Sequence, residues 1–81
     1  MHRQQRTKTL DQLESGQRGV IKELNGEQHF ISRATAIGFT PGADIVSVQN
    51  YRSLPLIVFL RDTQIAIDRI EAQRIIVDEP E

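Results

Sequence analysis

The spacing of apolar residues changes along the chain and predicts one helix among several short strands. Between residues 26 and 37, the side chains of Phe30, Ala34 and Ile37 recur at intervals of four and three, which places them on one face of a helix. In the remainder of the chain, apolar residues alternate with polar ones or form short runs, as they do in β-strands. Strands are predicted over residues 18–24, 43–50, 56–60, 64–67 and 74–77, a single helical turn or a tight bend over 10–16, and a single helical turn over 68–73. This order predicts an all-β fold, a small and strongly bent β-barrel with one helix between its strands.

Residues at both ends of the predicted helix indicate where it starts and stops. Asn25 is a favourable N-cap, and Gln28, three residues later, could complete a capping box. Gly38 stands where a residue with positive φ commonly ends a helix. Pro41 and Gly42 follow in the order of a type II turn, so the chain is expected to reverse there and enter a strand.

Two segments of the second half carry specific expectations. The run Leu56–Leu60 is apolar at every position, which predicts a central strand buried on both faces. Asp62 and Thr63 follow it and would form a tight hairpin turn, although the glycine usual in such turns is missing. Residues 51–55, which end in a proline, are predicted to form a loop before this strand.

Composition limits the size and class of the protein. The chain has 81 residues and 38% apolar residues, which suits one folded globular domain. We expect residues 1–9 to be a flexible tail, residues 10–78 the domain and residues 79–81 a second tail. The longest apolar run has seven residues, whereas a spanning helix needs about 20. With no signal peptide visible either, a cytoplasmic protein is expected.

Charge is balanced overall but uneven along the chain. Ten Lys and Arg residues against eleven Asp and Glu residues give a net charge of -1, which argues against a free-standing nucleic-acid binder. The basic residues Arg3, Arg6 and Lys8 lie at the start, and the acidic residues Asp78, Glu79 and Glu81 at the end. Two solvated termini are the expectation, and a basic arm that binds a phosphate or an anionic lipid is the alternative.

A search for catalytic chemistry finds no motif. The chain has no cysteine, which excludes a disulfide, a thiolate zinc site and a cysteine nucleophile. His29 has no second histidine four residues further on, and the serines stand in no nucleophile motif. The prediction is a non-enzymatic domain with no catalytic residue, no cofactor and no assigned metal ligand.

Four side chains are candidates for binding a partner. Tyr51, Arg52 and Leu54 lie in the predicted loop, and exposed aromatic and arginine residues are enriched at interfaces. The alternative is a loop that merely half-buries its tyrosine. Arg33 lies on the predicted helix, where it could bind a carboxylate of the barrel or of a partner, or simply lie along the helix surface.

Four motifs follow one another along the chain: Leu10-x-x-Leu13-x-x-Gly16, Arg33-x-x-x-Ile37-Gly38-Phe39-x-Pro41-Gly42, Ile65-Ala66-Ile67 and Glu71-Ala72-x-x-Ile75-x-Val77. With these motifs and this order of elements, the chain resembles the FeoA family, small accessory proteins of bacterial ferrous-iron uptake, over roughly residues 10–77. The second motif is similar to the family's Arg-Leu-x-x-Leu-Gly-Leu-x-Pro-Gly signature. Ala34 stands in place of the signature's leucine, Asp62-Thr63 where a glycine is common, and Asp68 where a basic residue is common.

The resemblance implies an SH3-like barrel with one inserted α-helix. It further implies a cytoplasmic accessory protein that acts, without catalysis, on a FeoB-type GTP-dependent membrane permease for iron. The alternative is a metal-responsive regulatory domain that binds a divalent transition metal, because such domains also occur in repressors of the diphtheria-toxin-repressor type. Neither nucleic-acid binding nor membrane insertion is expected, and an edge strand of a small open barrel could pair with a second copy.

Overall fold

The computed structural model describes residues 6–80, apart from the side chain of Arg6, and contains one antiparallel sheet of six strands. The strands are β1 (Arg6–Thr9), β2 (Arg18–Leu24), β3 (Asp44–Gln49), β4 (Leu56–Leu60), β5 (Thr63–Ile67) and β6 (Ile75–Glu79). A 3-10 turn at Leu10–Gln12 precedes β2, helix α1 (Gln28–Ile37) joins β2 to β3, and the short helix α2 (Arg69–Ala72) joins β5 to β6. The strand order is β1-β6-β2-β3-β4-β5, and each neighbouring pair is antiparallel. The predicted all-β fold with a helix between two strands is confirmed.

The core lies between one face of the sheet and α1. Ile21 of β2, Ile45 of β3 and Val58 of β4 are all fully buried on this face. Helix α1 adds Phe30 and Ala34 to the same cluster. Each large apolar side chain buried in this way contributes about 1.5–3 kcal/mol, so burial on this face stabilises the fold.

The start of α1 differs from the prediction, and its end agrees with it. Glu27, not Asn25, is the N-cap, and it makes no side-chain capping bond. Asn25 continues the β2–β6 pairing instead, since its backbone N–H donates to the carbonyl of Arg74 at 2.7 Å. Gly38 ends the helix with a φ of 129°, as predicted. With ten residues α1 is the longest helix of the described chain, where none is long and apolar enough to cross a membrane.

The strand β4 is buried on one face only, which corrects the expectation of two buried faces. Its burial alternates, and Phe59 is 40% exposed between the buried Val58 and Leu60. Successive side chains of a strand point to opposite faces of the sheet, and the core covers only the inner face. Phe59 therefore points to solvent although it is apolar. The hairpin after β4 also lies one residue earlier than predicted: Arg61 and Asp62 form it, with φ values of 53° and 63°.

Strand β1 lies where a flexible tail is expected. Residues 6–9 pair with β6, which extends to Glu79, so both predicted tails are shorter in the structure. The Thr7 hydroxyl donates to Asp78 Oδ1 at 2.8 Å, and Lys8 Nζ lies 2.9 Å from Glu79 Oε1. Lys8 from the basic segment and Asp78 and Glu79 from the acidic one therefore lie on neighbouring strands. The rest of the predicted tails, residues 1–5 and 81, lies outside the described residues.

Candidate partner-binding site

An exposed apolar cluster lies beside the loop that joins β3 to β4. Tyr51, Leu54 and Ile70 are 58%, 47% and 63% exposed, although their side chains are largely apolar. Together with the exposed Arg52 they form what we call the loop patch. A shallow groove of about 320 Å³ passes through it, lined by Ser53, Leu54, Pro55, Asp68, Arg69 and Ile70. Exposed apolar side chains that share one groove are typical of an interaction surface.

Hydrogen bonds, rather than burial, hold this loop. Arg69 Nη1 donates to the carbonyl oxygens of Tyr51 and Leu54, at 3.1 Å each. The Leu54 N–H also donates to the Tyr51 carbonyl at 3.2 Å, which closes a turn, and Ser53 within it has a φ of 72°. At the base of the loop, Asn50 Nδ2 donates to the carbonyl of Leu13 at 2.6 Å. The loop is thus tied both to α2 and to the segment before β2.

Helix α2 has its own fixed start. The Asp68 carboxylate is the N-cap, and its Oδ1 accepts from the Ile70 N–H at 2.7 Å. This bond satisfies a backbone donor that a helix start otherwise leaves free. It also fixes the backbone that presents Ile70 to solvent beside Leu54. Asp68 stands where the family commonly has a basic residue, and its carboxylate has a structural role here as the N-cap of α2.

Arg33 lies apart from the other three predicted residues. Its guanidinium is paired with the Glu71 carboxylate and lies 5.9 Å from the centre of the Phe30 ring. Glu71 and Arg69 are two residues apart on one helical turn, so they point to different sides of α2. The sequence allows Arg33 to bind a carboxylate of its own chain or one of a partner, and in the structure it binds one of its own chain. A cavity of about 90 Å³ adjoins this ion pair, and Ala34 and Ile65 line it.

Two residues of the site, Ile70 and Arg69, could not be predicted from the sequence. Ile70 stands in a polar segment, and its exposure depends on how α2 lies on the barrel. Arg69 binds backbone carbonyls, which every residue has, so no residue type at positions 51–55 points to it. By contrast, the exposure of Tyr51 and Leu54 agrees with the expectation from the loop.

The described residues bring no set of potential metal ligands together. Among residues 6–80, no group of three or more His, Cys, Asp or Glu side chains is placed to hold an ion. His29 is exposed on α1, and the other histidine of the chain, His2, lies outside this range.

The fold defines the class of protein to which the chain belongs, a small SH3-like barrel with an inserted helix. The sequence profile of the FeoA domain matches residues 8–79, nearly the whole chain. The chain belongs to the FeoA domain family, which confirms the resemblance seen in its motifs. Membership supports an accessory role in ferrous iron transport. A sequence search of curated proteins finds no match.

Solved structures of similar fold come from two kinds of protein. The crystal structure of an iron uptake regulatory protein, FeoA, matches with a TM-score of 0.88 and 23% identity, over 93% of this chain and 100% of that one. FeoA of Stenotrophomonas maltophilia, solved with zinc and described as a prokaryotic SH3 domain protein, matches with a TM-score of 0.76 and 25% identity, over 86% and 88%. A manganese-dependent transcriptional repressor matches with a TM-score of 0.84 but 12% identity, over 96% of this chain and 44% of that one. These likenesses confirm the SH3-like fold.

Proposed function

We propose that the protein is a cytoplasmic accessory factor of ferrous iron uptake that docks, without catalysis, on the cytosolic domain of a FeoB-type GTP-dependent permease. One observation carries this proposal: Leu54 and Ile70 are exposed in a single groove, and Tyr51 is exposed at the other end of the hydrogen-bonded turn that contains Leu54. Family membership supports the connection with iron transport.

The chemistry of the loop patch indicates the kind of segment that would bind there. Three large apolar side chains that are half exposed offer a centre from which binding would expel water. Arg52 adds an exposed positive charge, and the carboxylate of Asp68, which lines the groove, already accepts a backbone hydrogen bond. A segment with apolar side chains and at least one carboxylate would complement this surface.

The four predicted binding residues have different parts in this proposal. Tyr51, Arg52 and Leu54 contact the partner, because their side chains are exposed on the loop. Arg33 acts indirectly: through its ion pair with Glu71 it connects α1 to α2, which carries the other half of the patch.

Calorimetry of the purified chain with the permease's cytosolic domain, with and without guanine nucleotide, tests the proposal. We expect saturable binding that Leu54→Ser or Tyr51→Ser weakens by roughly tenfold or more, since central apolar contacts cost about 1–2 kcal/mol when removed. Val48→Ser is the matched control because Val48 is 42% exposed on β3, outside the patch. No binding of the unchanged chain in either nucleotide condition would overturn the proposal.

The metal-responsive alternative remains a prediction. The likeness to the manganese-dependent repressor is one of fold, at 12% identity. A metal that binds only the folded state raises the melting temperature. Melting curves with Fe(II) or Zn(II) therefore separate the alternatives, because docking on a permease needs no such shift.

A further inference from the structure

We propose that Arg69 is a positioning residue that holds residues 51–54 in the conformation the partner recognises. The inference rests on the proposed docking function and deepens it. Arg69 acts through two backbone carbonyls of the loop, those of Tyr51 and Leu54. Tyr51 and Leu54 are also the two residues whose exposed apolar side chains the loop contributes to the patch.

The two hydrogen bonds act on the first and last residues of one turn. Both bonds have a length of 3.1 Å and come from the same nitrogen, Nη1. Within the turn, the Leu54 N–H donates to the Tyr51 carbonyl at 3.2 Å. A single guanidinium thus fixes the separation and the orientation of the two residues from outside the turn.

The loop has little else to keep it in this shape. All residues from 51 to 55 are exposed, so packing holds none of their side chains in the core. Ser53 has a φ of 72°, a conformation that costs free energy for a residue with a side chain. Without Arg69 the turn would sample other conformations, and the binding-competent fraction would fall.

Arginine suits this task better than lysine because its guanidinium is planar and rigid, which fixes the directions of its N–H bonds, whereas the three N–H bonds of a lysine ammonium rotate freely. The short helix that carries Arg69 is also held in place. The Asp68 carboxylate caps the start of α2, and Glu71, on the same turn as Arg69, forms an ion pair with Arg33 of α1. The Arg69 side chain lies only partly exposed between these anchors.

The loop contains its own spectroscopic probe. Tyr51 is the only tyrosine of the chain, which has no tryptophan, so ultraviolet fluorescence reports on this loop. We expect Arg69→Met, which keeps a long stem without donors, to lower the Tyr51 fluorescence anisotropy of the free protein. The melting temperature should change little, because water can replace both bonds at exposed carbonyls. Arg69→Lys should give an intermediate anisotropy, and it serves as the second variant if Arg69→Met fails to fold.

Binding kinetics with the permease's cytosolic domain separate positioning from direct contact. For Arg69→Met we expect about a tenfold weaker affinity, with the loss in the association rate constant because fewer molecules hold the competent loop. Arg18→Met is the matched control: it removes the same charge from a side chain that pairs with the exposed Asp44 at 2.9 Å. Arg18→Met should resemble the unchanged protein in both measurements.

Two results would overturn the inference. One is an unchanged Tyr51 anisotropy in Arg69→Met, whatever the affinity. The other is a loss of affinity that lies wholly in the dissociation rate constant, which would mean that Arg69 contacts the partner directly. Failure of the unchanged protein to bind the permease domain would overturn the proposed function. The anisotropy would still test how Arg69 holds the loop, because it is measured on the free chain.

Discussion

Among single residues, Asp62 has a backbone conformation with positive φ that residues other than glycine seldom adopt. It lies in the two-residue connection between β4 and β5, with a φ of 63°, and Arg61 before it has a φ of 53°. Hairpin turns of this kind favour glycine at the second position, because glycine adopts positive φ without a steric cost. The tight hairpin was predicted from the sequence, but its position was one residue too late.

We expect Asp62→Gly to raise the free energy of unfolding by about 1 kcal/mol, since it removes the steric cost of positive φ. Urea denaturation measures the change. Asp62→Ala is the control, because it removes the same charge and keeps a Cβ. An equal gain in both variants would contradict the backbone explanation and point to the charge.

At the candidate site, single residues differ in how far the sequence could predict them. The exposure of Tyr51 and Leu54 follows from a proline-bounded loop between two strands, and the structure agrees. The sequence predicts that Arg33 could bind a carboxylate, but it does not identify Glu71, because that residue is 38 positions away in the chain. Nothing local to Arg69 indicates that it binds the loop, which begins 18 residues before it.

At the scale of elements, α1 packs on the barrel with a gap beside Ala34. This residue is 5% exposed, and it lines the cavity of about 90 Å³ together with Phe30 and Ile65. The family signature has a leucine at this position. The smaller alanine therefore leaves unfilled volume between the helix and the sheet.

Ala34→Leu should fill this cavity and raise the free energy of unfolding by about 1–2 kcal/mol, because the added carbons become buried. Ala36→Leu, at an exposed position of the same helix, is the matched control for helix propensity. Thermal and urea unfolding of both variants measure the difference. A less stable Ala34→Leu protein would show that the cavity is too narrow and that the new side chain is overpacked.

At the scale of the whole molecule, the two ends of the chain complete the sheet. Strand β1 covers one edge of β6, and β2 covers the other. Thr7 pairs with Asp78 and Lys8 with Glu79, residues 71 positions apart along the chain. A strand edge without its neighbour exposes a row of backbone donors and acceptors that can pair with another chain.

A chain that begins at residue 10 should therefore be less stable by about 2–4 kcal/mol, from the lost strand hydrogen bonds. It should also associate at high concentration through the open edge of β6. Urea denaturation and size-exclusion chromatography measure the two effects. A chain that begins at residue 6 keeps all of β1 and is the control, and equal stability of the two truncated chains would contradict a structural role for β1.

Local sequence patterns predict the elements from β2 to β6, the end of α1 at Gly38 and the family, because periodicity, turns and motifs depend on residues close together in the chain. The tertiary structure alone decided that β1 pairs with β6, that Phe59 faces solvent, that Ile70 joins the loop patch and that Arg69 holds the loop. These features depend on which segments meet in space. A hydrogen bond to a backbone carbonyl cannot be predicted from residue type, because every residue has that carbonyl. An ion pair between distant residues cannot be assigned either, because the sequence offers several oppositely charged partners.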